Sequence, residues 1–265
     1  TGGISASFVT LPNKDNDSFK LALKVSSKSL EKNDLLMQDL MLKTVNESSF
    51  HEQNRIKELL EFISADNEKS VIQNGHILSM GNAASQISTI AATNDLTSGL
   101  QFIHNTNNLS GLMNDENEFK LYLDTLHSIK NKLSSDPNYL FTASSLDIND
   151  LKLNTIFKSE SINFNNQSFV ATQDSSIGWI TGSQVCFCAE AFPSVDSKHE
   201  DAPALTILGT VLRNGYLHSA IREKGGAYGS GAAQDSNNKV FKFFSYRDPK
   251  CSETFEEFQK SRAWS

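Results

Sequence analysis

The chain has 265 residues, with 24 Lys and Arg against 31 Asp and Glu, a formal net charge of −7, and 38% hydrophobic residues. A chain of this length buries about three quarters of its unfolded surface, so it needs neither disulfide nor structural metal to fold, as one large domain or as two. The acidity excludes a nucleic-acid partner held by phosphate charge, and no run of 18 apolar residues exists to serve a membrane. Three cysteines, Cys186, Cys188 and Cys251, are odd in number and too few for a disulfide scaffold. They favour a reducing, intracellular setting, cytoplasm or organelle matrix.

The chain opens on Thr1-Gly2-Gly3-Ile4, with no initiator Met and no secretory pattern. Ile4, Ala6 and Phe8 alternate with Ser5, Ser7 and Val9, and Phe19, Leu21 and Leu23 alternate with Lys20, Ala22 and Lys24. With the turn-rich stretch from Pro12 to Asp17 between them, this predicts an antiparallel hairpin. Leu35, Leu36, Leu40, Met41 and Val45 fall at helical spacing. A capping box at Ser49-Phe50-His51-Glu52 predicts the start of a second helix bearing Ile56, Leu59, Leu60 and Ile63. A third is expected from Ile77 to Ile90, rich in small residues, and a fourth from Glu116 to Leu133.

Tyr139 to Ala143 reads as a strand, and the Asn-, Ser- and Asp-rich stretch that follows as a boundary. The expected division is a domain over 1–150, a linker over 151–182, and an incomplete domain over 183–265. In the last of these, Val185, Phe187, Ala189 and Ala191 alternate as a half-buried strand. Asp201-Ala202-Pro203 opens a helix, a Gly-rich turn runs from Gly225 to Gly231, and Val240 to Tyr246 is a strand. Ser252 to Phe258 opens another helix, and its short run before Ser265 is read as the edge of a longer protein. The order of elements predicts an α+β fold of two-layer domains.

The search for chemistry is mostly negative. None of the six histidines stands at i,i+4 from another, so neither orientation of the zinc-helix motif is present. Cys186-x-Cys188 lacks two further ligands, and Gly226-x-x-Gly229-x-Gly231 lacks the strand and Lys of a phosphate cradle. Asn-x-Ser sequons at Asn16, Asn46, Asn108 and Asn166 are ordinary for so Asn- and Ser-rich a chain. The informative stretch runs from Asn214 to Gly231: a helix end delivering Arg222, a mobile turn at Gly225-Gly226, and Tyr228 between small residues. Arg222 and Tyr228 can aim donors at one point. Equally, they can be a salt-bridging Arg at a helix end and a packing Tyr.

Leu217-His218-Ser219-Ala220-Ile221-Arg222-Glu223-Lys224-Gly225-Gly226-Ala227-Tyr228-Gly229 resembles the C-terminal-half signature of the pitrilysin/insulinase-type metallopeptidases, closest to their presequence protease branch. Thr1-Gly2-Gly3-Ile4-Ser5, Gly75-His76, and Phe243-Phe244-Ser245-Tyr246-Arg247-Asp248-Pro249 are similar to the same branch. The resemblance implies a clamshell of four related α+β domains, of which this chain would hold most of the third and a truncated fourth. It implies catalytic roles for Arg222 and Tyr228 and substrate binding by Arg222, Tyr228, Gly225 and Gly226. No metal ligand is expected here; a Zn2+ ion would belong to the parent enzyme, held by its N-terminal half. Implied partners are that half and short unfolded peptides, the acidic charge agreeing in sign with basic ones. The chain alone would then be inactive. A non-catalytic scaffold or partner subunit of the same superfamily is the alternative, and a stand-alone peptide-binding module a third; both donors retained at Arg222 and Tyr228 favour the enzyme.

Overall fold

The computed structural model describes residues 3–12, 19–132, 143–144 and 176–264. The strand expected from Tyr139 and most of the expected linker lie outside the described residues. The element order is β1 (Ile4–Pro12), β2 (Phe19–Ser27), α1 (Asp34–Asn46), α2 (Gln53–Ser85), α3 (Thr89–Ser98), α4 (Leu100–Leu112), α5 (Glu116–Lys132), β3 (Ala189–Pro193), α6 (Ala202–Leu212), a π-helix (Arg213–Lys224), β4 (Gly229–Asp235), β5 (Val240–Tyr246) and α7 (Ser252–Trp264). This is an α+β chain, divided into two compact units.

The first unit is Thr1–Leu11, Lys20–Leu60 and Ser110–Asn165. β1 and β2 form a two-stranded sheet, with the Ser5 and Ser26 hydroxyls bonded at 2.9 Å. Leu60 and Phe119 are buried; Lys57 stands over the Phe119 ring at 4.6 Å, and Phe50 meets His127 edge-on at 5.3 Å. The capping box at Ser49 does not open a helix. α2 starts four residues later, at Gln53.

The second unit is Pro12–Phe19, Glu61–Leu109 and Asn166–Ser265. The helices expected from Ser49 and from Ile77 are one element, α2, interrupted at Asn74, whose φ of −118° and ψ of 17° are not helical. It stops at Ser85 rather than running on to Ile90, and Ser88 caps α3 by accepting the Ala91 N–H. α3 and α4, which no periodicity announces, are joined through Asp95. Its buried carboxylate accepts from the Leu100 N–H at 2.9 Å and from Asn82 Nδ2 at 2.8 Å, and Asn82 Oδ1 accepts from Trp179 Nε1 at 3.0 Å. Every oxygen is thereby matched, as burial of a carboxylate requires.

The sheet of this unit runs β3-β5-β4, antiparallel throughout. The strand expected from Val185 forms only an isolated bridge at Cys186, and its regular pairing begins at Ala189. β4 lies inside and beyond the glycine-rich stretch expected to be a turn, pairing from Gly229↔Tyr246 to Asp235↔Val240. Strand alternation gives β5 two working faces. Phe241 and Phe243 enter a core with Leu212, Leu217, Ile221 and Phe258. Val240 meets Ala84 and Ala91 of α2 and α3, and Phe244 and Tyr246 face His76 of α2.

Phe258 is fully buried and lies 5.6 Å, ring to ring, from Phe243. Phe258→Ala is expected to destabilise this unit by about 3–5 kcal/mol. Denaturant unfolding followed by circular dichroism measures it, with the exposed Phe255→Ala as the milder comparison.

Candidate functional site

The residues singled out near the end of the chain lie on one continuous helix that changes character. α6 begins at Ala202 with Pro203 in its first turn, where a missing N–H is harmless, and stays α-helical to Leu212. From Arg213 to Lys224 the bonding widens to the π form. Such segments are rare and mostly a single turn long. The buried residues fit the wider winding: Leu212 and Leu217, five apart, both face the core, where an α-helix would set them on different faces. The segment is pinned by Ser230, whose hydroxyl donates to the Leu217 carbonyl at 3.0 Å, and by Tyr216, whose hydroxyl donates to Glu257 at 2.7 Å.

The helix ends at the expected glycines. Gly225 closes it where a side chain would collide with the Ile221 carbonyl, and Gly226 turns the chain at φ +89°, a conformation costly to any residue with a Cβ. The Gly226 N–H donates to Arg222 O and the Ala227 N–H to Ile221 O, both at 3.1 Å. This is a helix exit of Schellman type, one residue wider than its α-helical form. Ala227 drops into the core, and the Tyr228 N–H donates to Tyr246 O at 3.0 Å and to Arg247 O at 3.3 Å.

Arg222 and Tyr228 are thereby brought together on one exposed surface. The Arg222 guanidinium carbon lies 5.9 Å from the Tyr228 ring centroid, at the outer range of a cation–π contact, and Tyr228 is 67% exposed. The Tyr228 ring stands edge-on to Tyr246 at 5.6 Å. Behind Tyr246 lie His76 at 4.6 Å and Phe187 at 5.8 Å. His76 is half-buried, its Nδ1 has no hydrogen-bond partner among the described residues, and burial lowers its pKa. It is a neutral aromatic support. No local pattern assigns Gly75-His76 a physical role, because the contact of His76 with Tyr246 crosses about 170 residues of chain.

Among the described residues, no group of three or more His, Cys, Asp or Glu side chains comes together to hold a metal. The three thiols do not supply one. Cys188 is buried while Cys186 is exposed, and the Cys188 Sγ lies 3.9 Å from the Cys251 Sγ. Burial pushes the Cys188 thiol up to about 12, with the Ser245 hydroxyl opposing and Cys251 adding to the rise. A thiol held protonated is a poor ligand and nucleophile.

Known proteins resemble the chain over nearly its whole length. The family model for the associated region of M16 peptidases, subfamily C, matches residues 1–109, and the model for "PreP C-terminal domain" matches residues 181–264. Mitochondrial presequence proteases of Eremothecium gossypii and Saccharomyces cerevisiae are each 26% identical over 98% of this chain. That of Drosophila melanogaster is 27% identical over 95%. The chain spans 28% of the length of the two fungal relatives and 24% of the fly one.

Because the neutral form of His76 suits the fold, its contribution to stability is complete above its ordinary pKa of 6.5 and is lost as the pH falls through its lowered folded value. His76→Phe keeps a ring and removes the titration. Thermal unfolding between about pH 8 and pH 5 is expected to show a smaller acid-side loss for the variant than for the natural chain.

Proposed function

Since this chain belongs to the C-terminal part of the M16 presequence proteases, we propose that it lies in the substrate-binding half of a zinc metalloendopeptidase that degrades short, unstructured peptides. The observation that carries the reading is the pairing of Arg222 with Tyr228. A wide helix and a two-glycine exit set both side chains on one exposed face, joined by only a 5.9 Å cation–ring contact. An arginine or tyrosine kept for packing would be buried or paired with a carboxylate.

In the proposed reaction the parent's zinc supplies Lewis-acid polarisation and an activated water, from residues outside this chain. What these residues add is binding and charge stabilisation. Arg222 donates to a carbonyl or to the C-terminal side of the peptide, with five N–H groups in a rigid fork. The Tyr228 hydroxyl donates to the oxygen that gains negative charge as the peptide carbonyl is attacked. Gly225 and Gly226 allow peptide backbone to approach closely and keep Tyr228 in register with Arg222. The backbone N–H of Tyr228 is already engaged by Tyr246 and Arg247, so its side chain, not its main chain, is offered to substrate.

The partners proposed are the N-terminal half of the same polypeptide and short unfolded peptides. The relatives are named as mitochondrial, and an organelle matrix suits this chain too, with three free thiols and no helix among the described residues long and apolar enough to cross a membrane. The third and fourth peptidase domains are the proposed assignment of the regions before and after the boundary near 151–182.

Arg222→Ala and Tyr228→Phe in the intact parent are each expected to reduce kcat/KM on a fluorogenic peptide by about 10²–10³, with unfolding temperature unchanged. This chain alone is expected to hydrolyse nothing. Activity indifferent to both substitutions makes the pair structural, and a metal-supplied parent without any activity favours the scaffold reading.

A further inference from the structure

A second arginine stands beside this surface. Arg247 is exposed, follows Tyr246 at the end of β5, and is held at φ +48°, a backbone conformation that residues with a Cβ adopt only under constraint. Its guanidinium carbon lies 5.4 Å from the Tyr246 ring centroid. Its carbonyl is one of the two acceptors for the Tyr228 N–H. The next residue, Asp248, would be the obvious partner for this charge but is turned inward. Fully buried, its carboxylate accepts from the Lys250 N–H at 2.9 Å and from the Thr254 hydroxyl at 2.6 Å. Among the described residues neither Arg222 nor Arg247 has a carboxylate within ion-pair range, whereas Arg55 meets Glu58 at 2.9 Å.

The surface therefore runs Arg222, Tyr228, Tyr246, Arg247, with successive ring centroids and guanidinium carbons 5.9, 5.6 and 5.4 Å apart. We propose that Arg247 is a second substrate-binding residue, which frames the Tyr228–Tyr246 ring pair opposite Arg222 and takes a carboxylate of the bound peptide. An unpaired guanidinium is the side chain best matched to a carboxylate, which it holds with two parallel hydrogen bonds. The left-handed backbone at Arg247 is the second argument. Glycine or asparagine would sit there more easily, so the strain accompanies a side chain held in one direction. The carboxylate is either the peptide's C-terminus or an acidic side chain. The inference rests on the reading that Arg222 and Tyr228 face the peptide.

The test uses the intact parent enzyme with Arg247→Gly and Arg247→Asn, both compatible with positive φ, and Arg247→Lys, which keeps charge but loses the fork. Steady-state kinetics are measured on three peptides sharing one cleavage sequence: a free C-terminal carboxylate, its C-terminal amide, and the amide with one Glu on the C-terminal side of the cleaved bond. Arg247→Gly is expected to raise KM about tenfold or more on whichever peptide carries the recognised carboxylate, with kcat and the neutral amide little changed. Loss confined to the free-acid peptide assigns the C-terminus, and loss confined to the Glu peptide assigns the side chain. Arg247→Asn is expected to behave alike and Arg247→Lys to recover only part of the affinity, while unfolding temperatures stay level or rise.

Equal losses on all three peptides, or none, overturn the assignment. Arg222→Ala and Tyr228→Phe are measured alongside. If they remain damaging while Arg247→Gly is silent, only the role of Arg247 fails. If both are harmless, the reading of the whole surface fails and takes this proposal with it.

Discussion

The strand from Val240 to Tyr246 is the constraint on which the larger unit depends. It is the central strand, bonded on both edges, and its alternate side chains serve different neighbours. Phe241 and Phe243 anchor the core under α6, the π-helix and α7. Val240, Phe244 and Tyr246 address α2 and α3. A one-residue slip would exchange these sets and expose every aromatic to the wrong partner, so register is fixed by burial on two sides rather than one. The last residue of the strand then provides both a carbonyl that holds Tyr228 and the ring against which it stands. Core and candidate site are thus neighbouring positions of one strand.

This strand is also the most legible part of the sequence. Its aromatic, β-branched run needs no tertiary context to read as extended, and its bounds in the fold are the Val240 and Tyr246 expected of it. Its partner β4 reads as a turn because Gly229-Ser230-Gly231-Ala232-Ala233 has no side chain that prefers a strand. Small residues are there because α6 and the Phe244 ring come close to the backbone, which is information about neighbours, not about the segment. α3 and α4 escape notice for a related reason. Their buried faces include Thr93, Asp95 and Thr106, polar residues satisfied by local and network bonds, so an apolar stripe never forms. α2 reads as two helices because Asn74 does interrupt it, though the chain continues through.

Arg222, Tyr228 and the two glycines are recognisable as a local group, since a few consecutive residues carry the whole motif. The rest of the surface is not. Tyr246, Arg247 and His76 are contributed by a strand end, a left-handed turn and a helix far up the chain. Their association is a property of the folded sheet, and the positive φ at Arg247 leaves no mark on its residue type. The two units also differ in how much of their apolar surface is inside. Leu35, Leu36, Leu40 and Phe8 of the smaller one are exposed, while the larger one encloses Leu212, Leu217, Ile221, Val240, Phe243 and Phe258 almost completely.

The π-wound stretch from Arg213 to Lys224 makes chain length, as well as residue identity, a matter for inheritance. A wide helical segment is equivalent to a narrower one carrying an extra residue, so rewinding to the ordinary helix can absorb a single-codon deletion within it. The fold would tolerate that event, yet side chains past the lost residue would turn by about 100° relative to the core. Arg222 would leave the face it shares with Tyr228 while Leu217 and Ile221 competed for new burial. Drift in this segment can therefore proceed by exchange of side chains but not by small insertions or deletions, and an alignment gap here would mark a lineage in which the surface had ceased to matter.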